Sequence, residues 1–430
     1  MFRHFSRPLA HTMTKNERII LFLLASLNFT HILDFIVMVP LSIYLVPSFG
    51  LSAFQFSVLV ASYSVSAFFS GLVVAAIIDR FDRKKFLITA YIGFLLSTLS
   101  CGLSVNFEML LASRILAGIF GGVLGAQVLA IVSDLFVYER RGAAMGAVMS
   151  AFAVATVIGV PFSIWITDSF NSNWHLPFLV IAGVVTVLLP MMIRYLPSMA
   201  AHVKPEEKDK SIKQMISKTF AVSVQSPALI FSCFFMLGHF LVIPFIPAYL
   251  KFNKFFNDQQ IMFILLSGGV ASFISAIFLG KFSDKKGKLP VFVWSVILSL
   301  FLIVILTNMP DMYLPVALCF FALLFMAVTC RIVMAQAMIS EMVEPENRGS
   351  FMCVNGSVQQ LGQGLAALIA GVIIHTDKVS HKLNNYEWVG YLSILVLIGS
   401  LVMGRFIFKD VDKNLPESSF EDELGKEAAR

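Results

Sequence analysis

An all-α membrane protein with twelve transmembrane helices in two pseudo-symmetric six-helix halves is the fold this sequence predicts, on three observations. The chain is 58% hydrophobic and 13% charged, and its apolar runs reach the roughly 20 residues that a helix needs to cross a hydrocarbon core of about 30 Å. The runs are continuous, as from Leu289 to Asn308, where a membrane barrel requires alternating segments of about ten residues. The sparse charges also repeat. Asp79-Arg80-Phe81-Asp82-Arg83 returns as Asp284-Lys285-Lys286-Gly287-Lys288, an offset of 205 residues that also carries Phe35 onto Phe240, Tyr44 onto Tyr249 and Leu45 onto Leu250. Two residues of slippage bring Asp134, Glu139, Arg141 and Gly142 onto Glu341, Glu346, Arg348 and Gly349. In membranes such duplication is the architecture of carriers that rock one half against the other around a central site.

Taken in order between charge clusters, the spans fall near residues 19–46, 51–78, 86–105, 109–133, 142–167, 176–193, 226–250, 259–280, 289–310, 312–340, 349–375 and 388–404. Backbone groups in lipid must be paired internally, so each span is a helix. Residues 1–18 form an N-terminal segment, 19–193 the first six-helix bundle, 194–225 a linker, 226–404 the second bundle and 405–430 a tail. Pro197 and Pro205 break the linker. Within it Ile212, Met215, Ile216 and Phe220 recur at helical spacing among lysines, which suits an anionic membrane surface. The tail has too little apolar area to fold alone. External loops are short except around 375–385, leaving no room for an extracellular domain.

Orientation follows from Lys and Arg. With the N-terminus cytoplasmic, Lys251, Lys254, Lys378 and Lys382 lie outside, Arg114 and Arg331 lie within helices, and the other 26 of the 32 basic residues lie inside. Both termini are then cytoplasmic, and the expected location is the inner (plasma) membrane. Trp165, Trp174 and Trp388 fall near the outer interface, where indoles favour the headgroup level. The net charge of +6 is this topological bias, and nucleic-acid binding, which wants a basic face on a soluble fold, is not expected. The basic start before an apolar run is read as leading into the first spanning helix, because the run continues through Asp34 to Val46, far beyond a signal core. The five cysteines lie inside apolar spans without C-x-x-C spacing, so neither disulfides nor a metal site is expected.

Three normally ionised side chains sit well inside the spans: Asp34, Arg114 and Arg331. Each costs about 2.5–3.5 kcal/mol to insert and should face a partner or a polar cavity. Asp34 lies about 22 Å along its helix and Arg114 about 10 Å from the outer end of a helix running the other way, so both sit in the outer half of the membrane. A carboxyl and a guanidinium that part and rejoin can load and release a proton. The alternative is a fixed structural pair, which gains little stability for two desolvated charges. Asn28, Thr30, His31 and Asp34 share one broad face, a candidate proton-conducting stripe, although His31 is as well explained by a hydrogen bond to a neighbouring helix. The repeat sets His239 opposite Asp34, and Pro40 and Pro47, like Pro244 and Pro247, mark kinks whose freed carbonyls can line a cavity. Proton coupling is therefore assigned to Asp34, Arg114, His31 and His239. Arg331, about 15 Å from the inner end of its helix, suits an anionic substrate group or is a structural charge answered by carbonyls. Asn28, Gln127, Gln336, Asn355 and Gln359 join it as candidate cavity residues, with Gln360 and Gln363 nearby. Gly118, Gly121, Gly122 and Gly125 let helices approach closely. Gly159-Val160-Pro161 predicts a bend in the fifth helix, with Gly159 and Pro161 as hinge.

At these residues the chain resembles the major facilitator superfamily, in its drug:proton antiporter and sugar-efflux branch. Ala75-Ala76-Ile77-Ile78-Asp79-Arg80-Phe81-Asp82-Arg83-Lys84 is similar to the signature G-x-L-a-D-R-x-G-R-R, with Ala75 and Asp82 where that family usually has Gly. The second copy, Gly280 to Lys288, supplies the glycines. Arg114 and Gly118 match a fourth-helix R-x-x-x-G pattern, and Gly159-Val160-Pro161 alters a fifth-helix G-P pattern. The resemblance implies alternating access, with a cytoplasmic latch of Asp79, Arg80, Arg83, Glu139 and Arg141 in one half and Asp284 and Arg348 in the other. The expected function is proton-coupled efflux of a small hydrophobic or amphipathic compound by a monomer. Its expected partners are the lipid bilayer, a small-molecule substrate and protons, and no cofactor is expected. The alternatives are a proton symporter or facilitator for a sugar or organic acid, and a membrane sensor, for which no signalling domain is attached. No G-x-x-x-x-G-K-[ST], H-E-x-x-H or G-x-S-x-G motif argues for an enzyme.

Overall fold

A computed structural model of the chain describes residues 14–77, 81–136, 138–199, 225–343 and 348–409. Twelve helices follow one another. α1 runs Lys15–Ile36 and, after one residue, Met38–Phe49; α2 is Ala53–Ile77, α3 Arg83–Gly102 and α4 Phe107–Leu135. α5 comprises Tyr138–Val154 and Val160–Ser169, joined by the π-helical turn Ala155–Gly159, and α6 is Leu176–Tyr195. α7 runs Gln225–Phe240 and continues irregularly to Asn253. α8 is Asp258–Lys286, α9 Lys288–Thr307, α10 Leu314–Glu341, α11 Arg348–Ile373 and α12 Tyr386–Ile407. Several helices outrun their apolar runs because polar residues cap them. Thr14 and Glu17 cap α1 reciprocally, as Asn257 and Gln260 cap α8, and Asn106 caps α4.

Eleven of these helices are long and apolar enough to cross a membrane by length and composition alone. The other, α11, spans 26 residues, but Asn355, Gln359, Gln360 and Gln363 dilute its apolar content. That polarity is placed at the seam of the molecule, because α11 packs along α2 of the other half. α5 against α8 forms the second seam. Residues paired by the sequence repeat meet here in space: the Phe35 and Phe240 rings lie 6.1 Å apart between centroids. Large apolar side chains such as Phe22, Phe69, Trp294, Phe301 and Phe406 face outward, as lipid contact requires. Within the first half α4 is seated hard on α2. A Cβ at Gly118 would lie 2.3 Å from the Tyr63 carbonyl oxygen, and one at Gly122 2.5 Å from that of Ala67.

Both seam helices that begin a half are broken at matching places. α1 stops at Ile36, and Pro40 lacks the N–H that the Ile36 carbonyl would accept. α7 stops at Phe240, and Pro244 removes the donor for the Phe240 carbonyl. Beyond the break the Tyr386 hydroxyl of α12 donates to the Val242 carbonyl at 2.9 Å, and Asn253 exchanges two 2.9 Å bonds with Leu383 in a short hairpin, His375–Thr376 against Leu383–Asn384. The first bond satisfies irregular backbone in the broken helix, and the other two tie its outer end to the hairpin. In α5 the π turn stands directly before Val160 and Pro161, where the sequence predicts a bend, and a Cβ on Gly159 would lie 2.4 Å from Leu33 of α1.

The two copies of the loop between paired helices have diverged in backbone geometry. Asp82 has φ −60° and caps α3, accepting from the Lys84 N–H at 2.9 Å, the Ser198 hydroxyl at 2.7 Å and the Met199 N–H at 3.1 Å. It thereby ties the end of α6 to the start of α3. Its repeat mate Gly287 has φ +90°, a conformation that only glycine adopts without strain. An aspartate therefore fits the first loop and fails in the second.

Two outcomes follow. Gly287→Ala is expected to lower stability by about 1–3 kcal/mol, read as a fall in the unfolding midpoint of the purified protein; an unchanged midpoint would mean that the φ +90° conformation is not needed. Burial acts to raise the Asp82 carboxyl, but the bonds from Ser198, Met199 and Lys84 outweigh it and hold the group below the ordinary aspartate range. A depressed folded-state pKa gives stability that is present above the unfolded value and lost as pH falls through the folded one. Amide exchange at 82–86 and 197–199, corrected for its intrinsic pH dependence, should quicken below that depressed pKa and not between pH 5 and 7.

Candidate functional site

The break after Ile36 places Asp34 in the last turn of a helical segment, where backbone carbonyls lose their helical donors. Arg114 of α4 fills that need. Its Nη1 donates to the Asp34 carbonyl at 3.0 Å and to Asp34 Oδ2 at 2.8 Å. Thr98 of α3 donates to Asp34 Oδ1 at 3.2 Å, and the guanidinium lies over the Tyr63 ring of α2, 4.6 Å from its centroid. Both charged side chains are fully buried, with 0% of either exposed. Four helices thus converge on one ion pair, yet Arg114 Nε and Nη2 have no partner. The carboxylate is held through a single nitrogen where a bidentate fork is available.

A second cluster stands on the equivalent helices of the other half. Arg331 of α10, 1% exposed, donates from Nη1 to the Ser299 hydroxyl of α9 at 2.8 Å and from Nη2 to His239 Nδ1 of α7 at 3.0 Å. His239 is the repeat mate of Asp34, and each makes its polar contacts inside its own half while the neighbouring Phe35 and Phe240 meet at the seam. His239 therefore serves Arg331 and makes no hydrogen bond to Asp34 or Arg114. His31 likewise bonds Asn28 Oδ1 at 2.9 Å, and Asn28 donates to the Val148 carbonyl at 2.9 Å. Thr30 turns to Tyr91. The stripe predicted on α1 thus divides into three separate contacts, with no direct hydrogen bond from His31 to Asp34.

Among the remaining candidates, Gln127 is fully buried with neither amide atom paired, and Asn355 Oδ1, Gln359 Nε2, Gln360 Oε1 and Gln363 Oε1 are also without partners. Cys353 lies 3.8 Å from the carbonyl of Ala126, next to Gln127, so α4 and α11 bring polar groups toward one region of the seam. Gln336 is partly buried on α10. Of the latch residues, Arg83 is buried; Asp79 and Arg80, and the side chains of Glu139, Arg141, Asp284 and Arg348, lie outside the described residues.

Thr98, Tyr63 and Ser299 escaped the sequence reading. Hydroxyls within membrane helices commonly bond their own backbone, as Ser97 does to the Gly93 carbonyl at 2.7 Å. Nothing in the dipeptide Ser97-Thr98 says which of the two turns toward Asp34.

The family model described as Major Facilitator Superfamily matches residues 23–257 and again 228–430. Among curated relatives, the Uncharacterized MFS-type transporter YceJ of Bacillus subtilis is 22% identical over 333 residues, 77% of this chain and 82% of that protein. Multidrug resistance protein 3 of the same organism is 26% identical over 57% of this chain and 53% of its own length. The crystal structure of a D-xylose-proton symporter superposes with a TM-score of 0.71 at 16% identity, covering 90% of this chain and 97% of the other, which is a likeness of fold. With its duplicated six-helix halves and a family match running across both of them, this chain belongs to the Major Facilitator Superfamily of membrane transporters.

Proposed function

We propose that this transporter is a proton-coupled exporter of a small hydrophobic or amphipathic compound, working by alternating access in a bacterial inner membrane with both termini cytoplasmic. The buried Asp34–Arg114 pair carries this reading. Its members stand on different helices, α1 is broken two residues beyond Asp34, and the π turn of α5 lies against Leu33. A rearrangement within the first half, at the break in α1 and the π turn of α5, that draws α4 from α1 leaves the carboxylate without its counter-charge in apolar surroundings, where it takes up a proton instead. Rejoining the guanidinium releases it. Gly159 and Pro161 serve as the hinge, and Asp79, Arg80, Arg83, Glu139 and Arg141 with Asp284 and Arg348 close the cytoplasmic side. Gln127, Asn355 and Gln359 line the path with unpaired polar atoms on an otherwise apolar seam, which suits an amphipathic substrate, and the likeness to Multidrug resistance protein 3 points the same way. A second reading, transport of a compound bearing a carboxylate, is favoured by the buried Arg331.

In inverted vesicles with an imposed pH gradient, screened against a panel of amphipathic compounds, Asp34→Asn should abolish gradient-driven transport while binding of the transported compound persists. Full transport by that variant at equal expression removes Asp34 as the proton carrier. The pair also has a stability signature. Asp34→Asn and Arg114→Gln should each cost about 3 kcal/mol by leaving a buried group unanswered, and the double variant should cost less than their sum. Additive losses in detergent unfolding would show that the two groups are not coupled.

A further inference from the structure

Arg331 is the buried charge for which the proton cycle has no use. In the first half the guanidinium of Arg114 is answered by a carboxylate from α1, which in turn accepts from the Thr98 hydroxyl of α3. In the second half the equivalent helices supply His239 from α7, at the repeat-matched position, and Ser299 from α9, at a different one, and no described acid pairs with Arg331. Its guanidinium also lies over the Phe235 ring, 5.8 Å from the centroid, and none of these three uncharged neighbours cancels its charge. Ser299 accepts from Arg331 and spends its own proton on the Val296 carbonyl at 2.8 Å, so it positions the guanidinium and has no donor left. His239 accepts through Nδ1, because a guanidinium has no acceptor to offer, which puts the imidazole proton on Nε2.

The donors left over are the second observation. A guanidinium has five N–H groups, and two are used here. Nε is buried without a partner. Arg331 and His239 line one cavity of about 10 Å³ of accessible interior, walled by Val242, Ile243, Ile303 and Phe325, room for about one water-sized group. Buried donors around an unanswered positive charge, in a small apolar enclosure, select a small anionic group that accepts several hydrogen bonds.

We propose that Arg331 and His239, with Ser299 as positioning residue, form an anion site in the second half of the bundle, one that takes a halide ion. The site is independent of the proton assignment, since Asp34 and Arg114 belong to the other half, and Asp34-dependent transport can stand if the anion site fails.

The test is thermal unfolding of the full-length purified protein in detergent. Chloride, bromide, acetate, hexanoate and uncharged hexanamide are titrated at ionic strength held constant with isethionate. A ligand bound by the folded state raises the midpoint saturably. The expected result is a saturable rise with chloride or bromide and none with hexanamide. A response to halides supports the proposal, and a response to acetate or hexanoate without one to chloride or bromide overturns it, because a carboxylate is too large for the cavity. Arg331→Gln should weaken apparent affinity about 10- to 100-fold, the worth of a charged hydrogen bond. Ser299→Ala, which keeps the charge but frees it, should weaken it roughly fivefold. A parent protein that responds to no anion overturns the proposal, as does a response that persists undiminished in Arg331→Gln. If that variant does not fold, unchanged affinity in Ser299→Ala overturns it.

Discussion

A charge inside an apolar bundle must be answered by another group or be given up, and the arrangement of this transporter's interior follows from that requirement. Asp34, Arg114 and Arg331 are each about 1% exposed or less, so water cannot answer them. The first half meets the demand with an ion pair at 2.8 Å, a hydroxyl from α3 and the face of Tyr63. A fixed pair of this kind is a poor source of stability, since replacing both charges by apolar groups is often neutral or better. Its retention across a break in α1 fits a pair that is made and broken in use.

Duplication accounts for the frame, and divergence accounts for the chemistry. Phe35 and Phe240 still face one another across the seam, and α1 and α7 still break at the matching turn. One residue earlier the copies part: an acid in the first half, an imidazole in the second. A neutral His that accepts from Arg331 makes the second cluster a net cation where the first is balanced. The loops diverged too, with Asp82 turned into a helix cap at φ −60° and Gly287 kept at φ +90°. A carrier whose halves share a backbone but not a charge balance can give each half a separate ligand, a proton in one and an anion in the other.

The twelve helices were legible because continuous apolar runs admit one backbone solution in lipid, and helix ends moved outward at caps such as Thr14 and Asn257 and along the charged end of α8. The encounter of Asp34 with Arg114 was legible from depth, since rise per residue sets both heights. Helix rotation was not. Asn28, His31 and Asp34 share a face in the sequence, but a broad face meets several neighbours, and α5, α3 and α4 divide it among themselves. The partners of Arg331 were hidden for the same reason: with no acid at membrane depth to match it, the sequence offers no complementary charge, and an imidazole and a hydroxyl carry no signal of their pairing. Asp82 shows the converse, a departure from the family's glycine whose sense appears only with the Ser198 and Met199 contacts.

The central claim is that Asp34 changes protonation during the transport cycle. Infrared difference spectroscopy of the protein in lipid, recorded across a pH titration, reads this through the stretching band of a protonated carboxyl group. The account predicts a band that appears with falling pH, shifts when a transported compound is added, and is missing from Asp34→Asn. A carboxylate at Asp34 that stays ionised through the whole pH range of transport, with and without that compound, would contradict it.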